Sequence, residues 1–169
     1  MGPINNQKSA IQVRSYRLED ASALANIYYN TIHVINAKDY SKEQLDVWAP
    51  VSSLEVEGWQ KKWSKIQPLV ATVENKIVGF AEFENDGHID CFYCHHQWTG
   101  QGVGSALMRT IEDIAKNRGI IRIFAEVSIT AKPFFSSKGF YIVKEQTIVR
   151  QGIELNNFVM EKFLTEEKA

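Results

Sequence analysis

Three glycines at alternate positions, Gly100, Gly102 and Gly104, stand where an apolar strand pattern (Ile89, Cys91, Phe92, Tyr93) gives way to a helical one (Val103, Ala106, Leu107, Thr110, Ile111, Ile114). Missing side chains let a ligand approach the backbone closely. A helix beginning at Val103 adds the unpaired N–H groups of its first turn and the positive end of its dipole, a combination that suits a phosphate or diphosphate. The run Thr99, Gly100, Gln101, Gly102, Val103, Gly104, Ser105 is therefore a candidate anion cradle; the other reading of the same glycines is a flexible strand-to-helix connection. It is not a dinucleotide fingerprint, because several elements precede it, and it lacks the Gly-Lys-Ser/Thr end of a triphosphate loop.

A second cluster, Cys91, Cys94, His95 and His96, spells Cys-x-x-Cys-His, the pattern of haem attachment or a metal ligand set. A strand turns successive side chains to opposite faces, so two cysteines three apart point away from each other unless the strand bulges. Haem attachment also requires export, and no secretory leader is recognisable. No metal is expected; the cysteines read as small buried apolar residues.

A chain of 169 residues with a net charge of −1 is long enough for one real core. Near-neutral charge argues against a broad electrostatic grip on nucleic acid. No apolar run is long enough to span a bilayer, so a cytoplasmic protein without a membrane partner is expected. Residues 1–10 read as a loose leader, 11–164 as the folded domain and 165–169 as a polar tail.

The elements that must position the loop follow from periodicity. Residues 11–17 alternate as a half-buried strand. Asp20 can cap a helix running to Ile35, Ser41 with Gln44 forms a capping box for a short helix ending before Pro50, and 54–65 reads as a helix with Trp59 and Trp63 on one face. Three antiparallel strands (69–73, 77–84 and 88–94) lead into the glycine loop. After the helix 103–118 come a strand (120–127), a short helix (130–138) and two final strands (140–150 and 154–163). The aromatic residues of the early helices, including Tyr28, Tyr40 and Trp48, with His33 among them, either brace the helices on the sheet or wall an acceptor pocket. Edge pairing or exchange of the last two strands would be consistent with a homodimer.

Three stretches together resemble the GNAT superfamily of acyl-CoA N-acyltransferases: Ile89 to Cys94, Thr99 to Gly104, and Ser128 to Phe140, where Ala131 is followed eight residues on by Gly139-Phe140. The resemblance covers 11–163. It implies a single-domain α/β (α+β) fold, a mixed, mostly antiparallel sheet of about seven strands flanked by helices and splayed at the cofactor site. It further implies acetyl-CoA as acyl donor, with its pantetheine arm held by backbone groups of Phe92, Tyr93 and Cys94 and its diphosphate by the amides from Gly100 to Ser105, and with Ser128 and Phe135 beside it. The family often has Gln or Arg at Thr99 and Asn at Ser128. Phe135 stands where the family's tyrosine protonates the departing thiolate, and a phenyl ring donates no proton.

The implied reaction is direct transfer of an acetyl group to a primary amine of a small molecule or a protein. It needs a neutral nitrogen, an oxyanion donor and a route for the amine's proton. Asp90 and Glu126, in the strands beside the implied splay, are the candidate bases, with Glu82 and Glu84 one strand further off. Tyr141, Tyr93 and Ser128 are the candidates for protonating the thiolate, and Tyr28, His33, Tyr40 and Trp48 for the acceptor pocket. The other function compatible with Phe135 is a catalytically weak acyl-CoA-binding or sensing domain.

Overall fold

The computed structural model describes residues 10–165. The leader and tail expected from sequence therefore lie, except for Ala10 and Thr165, outside the described residues. Strand β1 (Gln12–Ser15) precedes helices α1 (Ala21–Ile35), α2 (Lys42–Trp48) and α3 (Val56–Trp63), followed by β2 (Leu69–Val73), β3 (Lys76–Phe83) and β4 (His88–Cys94). Helix α4 (Val103–Asn117), β5 (Arg122–Ser128), α5 (Lys132–Ser137), β6 (Tyr141–Arg150) and β7 (Ile153–Phe163) complete the chain. The seven strands form one sheet in the order β1-β2-β3-β4-β5-β7-β6. This is the single-domain mixed sheet flanked by helices that the sequence implies, and the element order matches the reading with boundaries shifted by no more than two residues. Among the described residues no helix is long and apolar enough to cross a membrane.

Local chemistry explains the early helices. The Ser41 hydroxyl accepts from the Gln44 amide (3.1 Å) while the Gln44 side chain accepts from the Ser41 amide (2.9 Å), closing the expected capping box. Asp20 precedes α1 as expected but does not cap it with its side chain. Its carboxylate is taken instead by the Arg14 guanidinium (2.7 and 2.9 Å) and the Arg17 amide (2.8 Å), which ties α1 to β1. The helix expected over 54–65 is a 3₁₀ turn, Val51–Leu54, followed by α3, and Trp59 stacks on Trp63 with centroids 4.8 Å apart.

Two cores sandwich the sheet. On one face α4 and α5 bury Leu107, Ile111 and Phe135 against Val78, Ile89 and Ile123; on the other α1 to α3 bury Leu24, Ile32 and Trp63 against Val70, Phe80 and Cys91. Cys91 and Cys94 pack into different cores, as strand alternation requires.

Two irregularities shape the middle of the sheet. Between the pairs Phe83↔Ile89 and Ala81↔Phe92, β3 advances two residues and β4 three, so β4 carries a β-bulge at Asp90-Cys91. Strand β5 pairs with β4 in parallel at His88↔Phe124 and Ile89↔Ala125, whereas its other edge stays paired with β7 from Arg122 to Ser128. β4 and β5 are therefore joined at one end and parted beyond Ile89 and Ala125.

Gly87 pins the joined end. Its carbonyl accepts from the Phe124 amide (3.0 Å), its φ is +97°, and a Cβ there would lie 2.1 Å from the Arg122 carbonyl oxygen. Gly87→Ala should therefore lower the unfolding free energy in urea by more than about 2 kcal/mol, since backbone strain and a main-chain clash combine. Gly58→Ala, in α3 with nothing within 4 Å of the added methyl, should be neutral or stabilising by up to about 1 kcal/mol. Equal effects of the two substitutions would show that Gly87 does not hold the joint.

Candidate active site

The parted strands open a cavity of about 480 Å³, lined by the end of β4, the glycine loop, the start of α4, the end of β5 and the start of α5. Its walls include Asp90, Phe92, Tyr93, Cys94, Thr99, Gly100, Gly102, Val103, Gly104, Ser105, Glu126, Ser128 and Phe135. The His95 amide donates to Val78 on β3 (2.8 Å). By the alternation of an antiparallel ladder, the N–H and C=O groups of Tyr93 then also face β3, and those of Phe92 and Cys94 face the gap. Thr31 of α1 donates to the Cys94 carbonyl (2.8 Å), so a helix side chain supplies a bond there that β5 does not.

Helix α4 opens onto the same cavity. Its N-cap, Gly102, has φ +90°, a conformation that a side chain would strain, and no side chain caps the turn. Among the described residues no N–H from Thr99 to Ser105 donates to a protein carbonyl; the first helical bond is Ala106 to Gly102 (3.0 Å). The first turn holds no acidic residue. Unpaired donors at the positive end of a fifteen-residue helix favour an anion from outside the chain. Gly104 serves packing as well, since a Cβ would lie 3.0 Å from the Phe134 ring.

Phe135 is buried at the inner end, edge-on to Phe92 and Phe140. The nearby hydroxyl is Ser128, whose Oγ accepts from the Ala131 amide (3.0 Å) and, at the limit of a hydrogen bond, from Asn36 Nδ2 (3.5 Å). Two accepted bonds leave its own proton free to donate. Tyr93 is a poor acid, because burial pushes its phenol well above the usual range.

A second cavity, about 530 Å³, lies beyond the splay and shares Trp48, Asp90, Tyr93, Glu126 and Ser128 with the first. Tyr28, Tyr40, Trp59, Lys62, His88, Arg150 and Asn157 complete much of its wall. Two charge networks meet there. Lys62 Nζ reaches both carboxylate oxygens of buried Glu82 (3.1 and 3.2 Å) and Asp90 Oδ2 (3.0 Å). Burial opposes its charge, but the surrounding acidic groups win and its pKa rises. Glu82, Asp90 and Cys91 could together ligate a metal, but the Lys62 ammonium already contacts both carboxylates. His88 places Nδ1 2.8 Å from Glu84 and Nε2 2.6 Å from Glu126. Burial pulls its pKa down, and the two carboxylates more than offset this and raise it.

Most residues singled out in the sequence thus line one cavity or both; Gln101, His33 and Tyr141 do not, nor do the two lesser base candidates Glu82 and Glu84. The Gln101 side chain donates to the Gln97 carbonyl (3.3 Å) and forms no part of the wall. His33 holds the Ala49 carbonyl (2.7 Å), packs on Tyr29 and lines neither cavity. Tyr141 lies on the edge strand β6 with its hydroxyl on Glu161 (2.8 Å), because β7 intervenes between β5 and β6. The sequence reading missed Thr31, Lys62, His88 and Arg150. The alternation of His88 with Asp90 before the bulge was a usable signal; the other three reach the site only through tertiary packing.

A helix-capped anion cradle beside a bulged, splayed strand pair defines an acyltransferase of the GNAT type. The family model for an acetyltransferase (GNAT) domain matches residues 36–162, and the chain belongs to the GNAT N-acetyltransferases. Among its relatives is the uncharacterized N-acetyltransferase YafP of Escherichia coli (strain K12), 31% identical over 150 residues that span 89% of this chain and 94% of YafP. A GCN5-related N-acetyltransferase from Rhodopseudomonas palustris superposes with a TM-score of 0.86 at 32% identity, covering 93% of this chain and 98% of its own. PaiA N-acetyltransferase from Thermoplasma acidophilum, solved in complex with coenzyme A, has the same fold (TM-score 0.72, 20% identity, 92% and 99% coverage).

The raised pKa of His88 has a definite sign. Stability supplied by a group whose folded pKa lies above its unfolded value near 6.5 is fully present below that value and is lost as pH rises through the folded one. The stability difference between wild type and His88→Gln, from urea unfolding above the range where carboxylates protonate, should therefore shrink as pH climbs from about 6.5 into the alkaline range. A difference that grows with pH would reverse the assignment.

Proposed function

We propose that this protein transfers an acetyl group from acetyl-CoA directly to a primary amine. The observation that carries the reading is the meeting, at one break in the sheet, of an unpaired strand edge, an uncapped helix N-terminus and two carboxylates. The donor set fits acyl-CoA: amides from Gly100 to Ser105 for the diphosphate, and the outward edge of Phe92 and Cys94 for the pantetheine amides and the thioester oxygen. PaiA, solved with coenzyme A, supports the same choice of donor.

The amine enters from the second cavity and attacks the thioester carbon. Glu126 or Asp90, shared by both cavities, removes its proton. His88, clamped between Glu84 and Glu126, is a positioning residue that fixes the Glu126 carboxylate. Ser128 donates a hydrogen bond to the departing thiolate in place of the missing phenol and relays a proton to the sulfur, its own oxygen taking a replacement from solvent in the same step. No acyl-cysteine intermediate is needed, and neither thiol suits one. Burial drives the Cys91 thiol well above its usual range and the Cys94 thiol up to about 11, so both stay protonated.

Phe135 favours a second reading, an acyl-CoA-binding domain with weak transfer. Thiol release with an amine panel, beside calorimetric titration of coenzyme A, separates the two: binding without release for any amine selects the second.

Ser128→Ala should lower kcat about tenfold to a hundredfold with little change in KM for acetyl-CoA, and Phe135→Tyr in that background should recover part of the loss. Unchanged kcat in Ser128→Ala would remove Ser128 from the reaction. Glu126→Gln, or Asp90→Asn if that carboxylate is the base, should cut kcat/KM more at about pH 6 than at about pH 9, where a larger share of the amine is already neutral. If neither variant alters the pH profile, the base lies elsewhere.

A further inference from the structure

We propose that the second cavity selects an amino carboxylate, an acceptor with its amine at the splay and its carboxylate held by Arg150. This deepens the acetyl-transfer reading above and rests on it. The cavity is electrically bipolar. At the splay, Lys62 is shared by Glu82 and Asp90 and His88 by Glu84 and Glu126, so four carboxylates face two cations. That surplus of negative charge suits an incoming ammonium, and Asp90 and Glu126 are its exposed members.

Arg150 ends β6 and lines the same cavity. Unlike Lys62 and His88, it has no carboxylate within ion-pairing distance among the described residues. Its neighbour is the Tyr28 phenol, a neutral group that leaves the guanidinium charge unbalanced. A planar guanidinium pairs with a carboxylate through two parallel N–H bonds, which makes an anionic substituent its natural complement. A polyamine or the side chain of an internal lysine would instead bring a second cation, or nothing, to this position.

The remaining wall defines what joins the two ends. Tyr28 lies edge-on to Trp59 (5.0 Å) and to Tyr93 (5.2 Å). The hydroxyl protons of Tyr28 and Tyr40 are committed to the carbonyls of Trp48 (3.0 Å) and Asn156 (2.6 Å), so these residues offer ring surface rather than donors. Asn157 Oδ1 is buried without a partner and can accept an N–H. An amino acid with an apolar or aromatic side chain satisfies all of these groups.

The experiment compares kcat/KM, by thiol release from acetyl-CoA, for phenylalanine, its primary amide, phenethylamine and the corresponding aminophosphonate, in wild type, Arg150→Met and Arg150→Lys. Phenylalanine should exceed phenethylamine and the amide by about ten- to a hundredfold in wild type, the worth of a charge-assisted pair. The advantage should collapse toward unity in Arg150→Met, mainly through KM, and return in part in Arg150→Lys. Phenethylamine turned over as well as phenylalanine, or a preference that survives Arg150→Met in protein that still binds coenzyme A, overturns the proposal while acetyl transfer stands. A stronger preference for the phosphonate overturns the carboxylate as the anion selected. Coenzyme A binding without thiol release from any amine removes the transfer reading, and this proposal with it.

Discussion

The parting of β4 from β5 is the constraint on which the rest of this molecule depends. A sheet interior normally pairs every strand edge, and a buried unpaired peptide group costs of the order of 1–3 kcal/mol. Among the described residues the outward groups of Phe92 and Cys94 have no strand beside them, and Thr31, on the Cys94 carbonyl, supplies a substitute. The opening is imposed from both sides. The bulge at Asp90-Cys91 bends β4, while β7 holds β5 along seven residues from Arg122 to Ser128 and keeps it from following. Gly87 closes the far end, so the strands form a wedge rather than two separate sheets.

The bulge also decides which side chains meet. An inserted residue shifts the alternation of a strand by one, so that His88 and Asp90 before it and Cys91 and Tyr93 after it all line the second cavity. Carboxylates crowd together as a result, and each pair of them shares one cation. Without Lys62, the buried Glu82 would carry an uncompensated charge that folding could not tolerate cheaply. Without His88, Glu84 and Glu126 would repel across the strand junction. Lys62 and His88 thus hold Asp90 and Glu126 at the edge shared by the two cavities.

Much of this was legible in the chain. The glycine run, the strand before it and the helix after it are local patterns, and the capping box at Ser41 and the Trp59–Trp63 stack follow from spacing alone. What failed to show were relations set by sheet order. Tyr141 follows α5 immediately and reads as a neighbour of the site, but the last strand inserts between β5 and β6, so that Tyr141 ends two strands from the splay. His88 and Glu126 are 38 positions apart, and only the parallel register of β4 and β5 makes them partners. Asp20 kept its place before α1 but gave its carboxylate to Arg14, a choice that depends on where β1 lies. Arg150 enters the site because the far end of β6, paired with β7 at Ile153, lines the second cavity, which no periodicity encodes.

In the proposed transfer, Phe135 changes where the difficulty of the reaction lies. Its ring, packed with Phe92, Phe134 and Phe140, makes the inner end of the groove apolar. A sulfur anion forming against such a surface is poorly solvated, and the loss of a phenol removes the group that would neutralise it in place. The same packing that would hold the acyl donor in that reading therefore raises the cost of releasing it. Ser128 is suited to offset this because Ala131 and Asn36 supply the donors its oxygen needs and leave its proton to the groove. Proton delivery to sulfur, rather than attack by nitrogen, then becomes the step most sensitive to small changes around the end of β5.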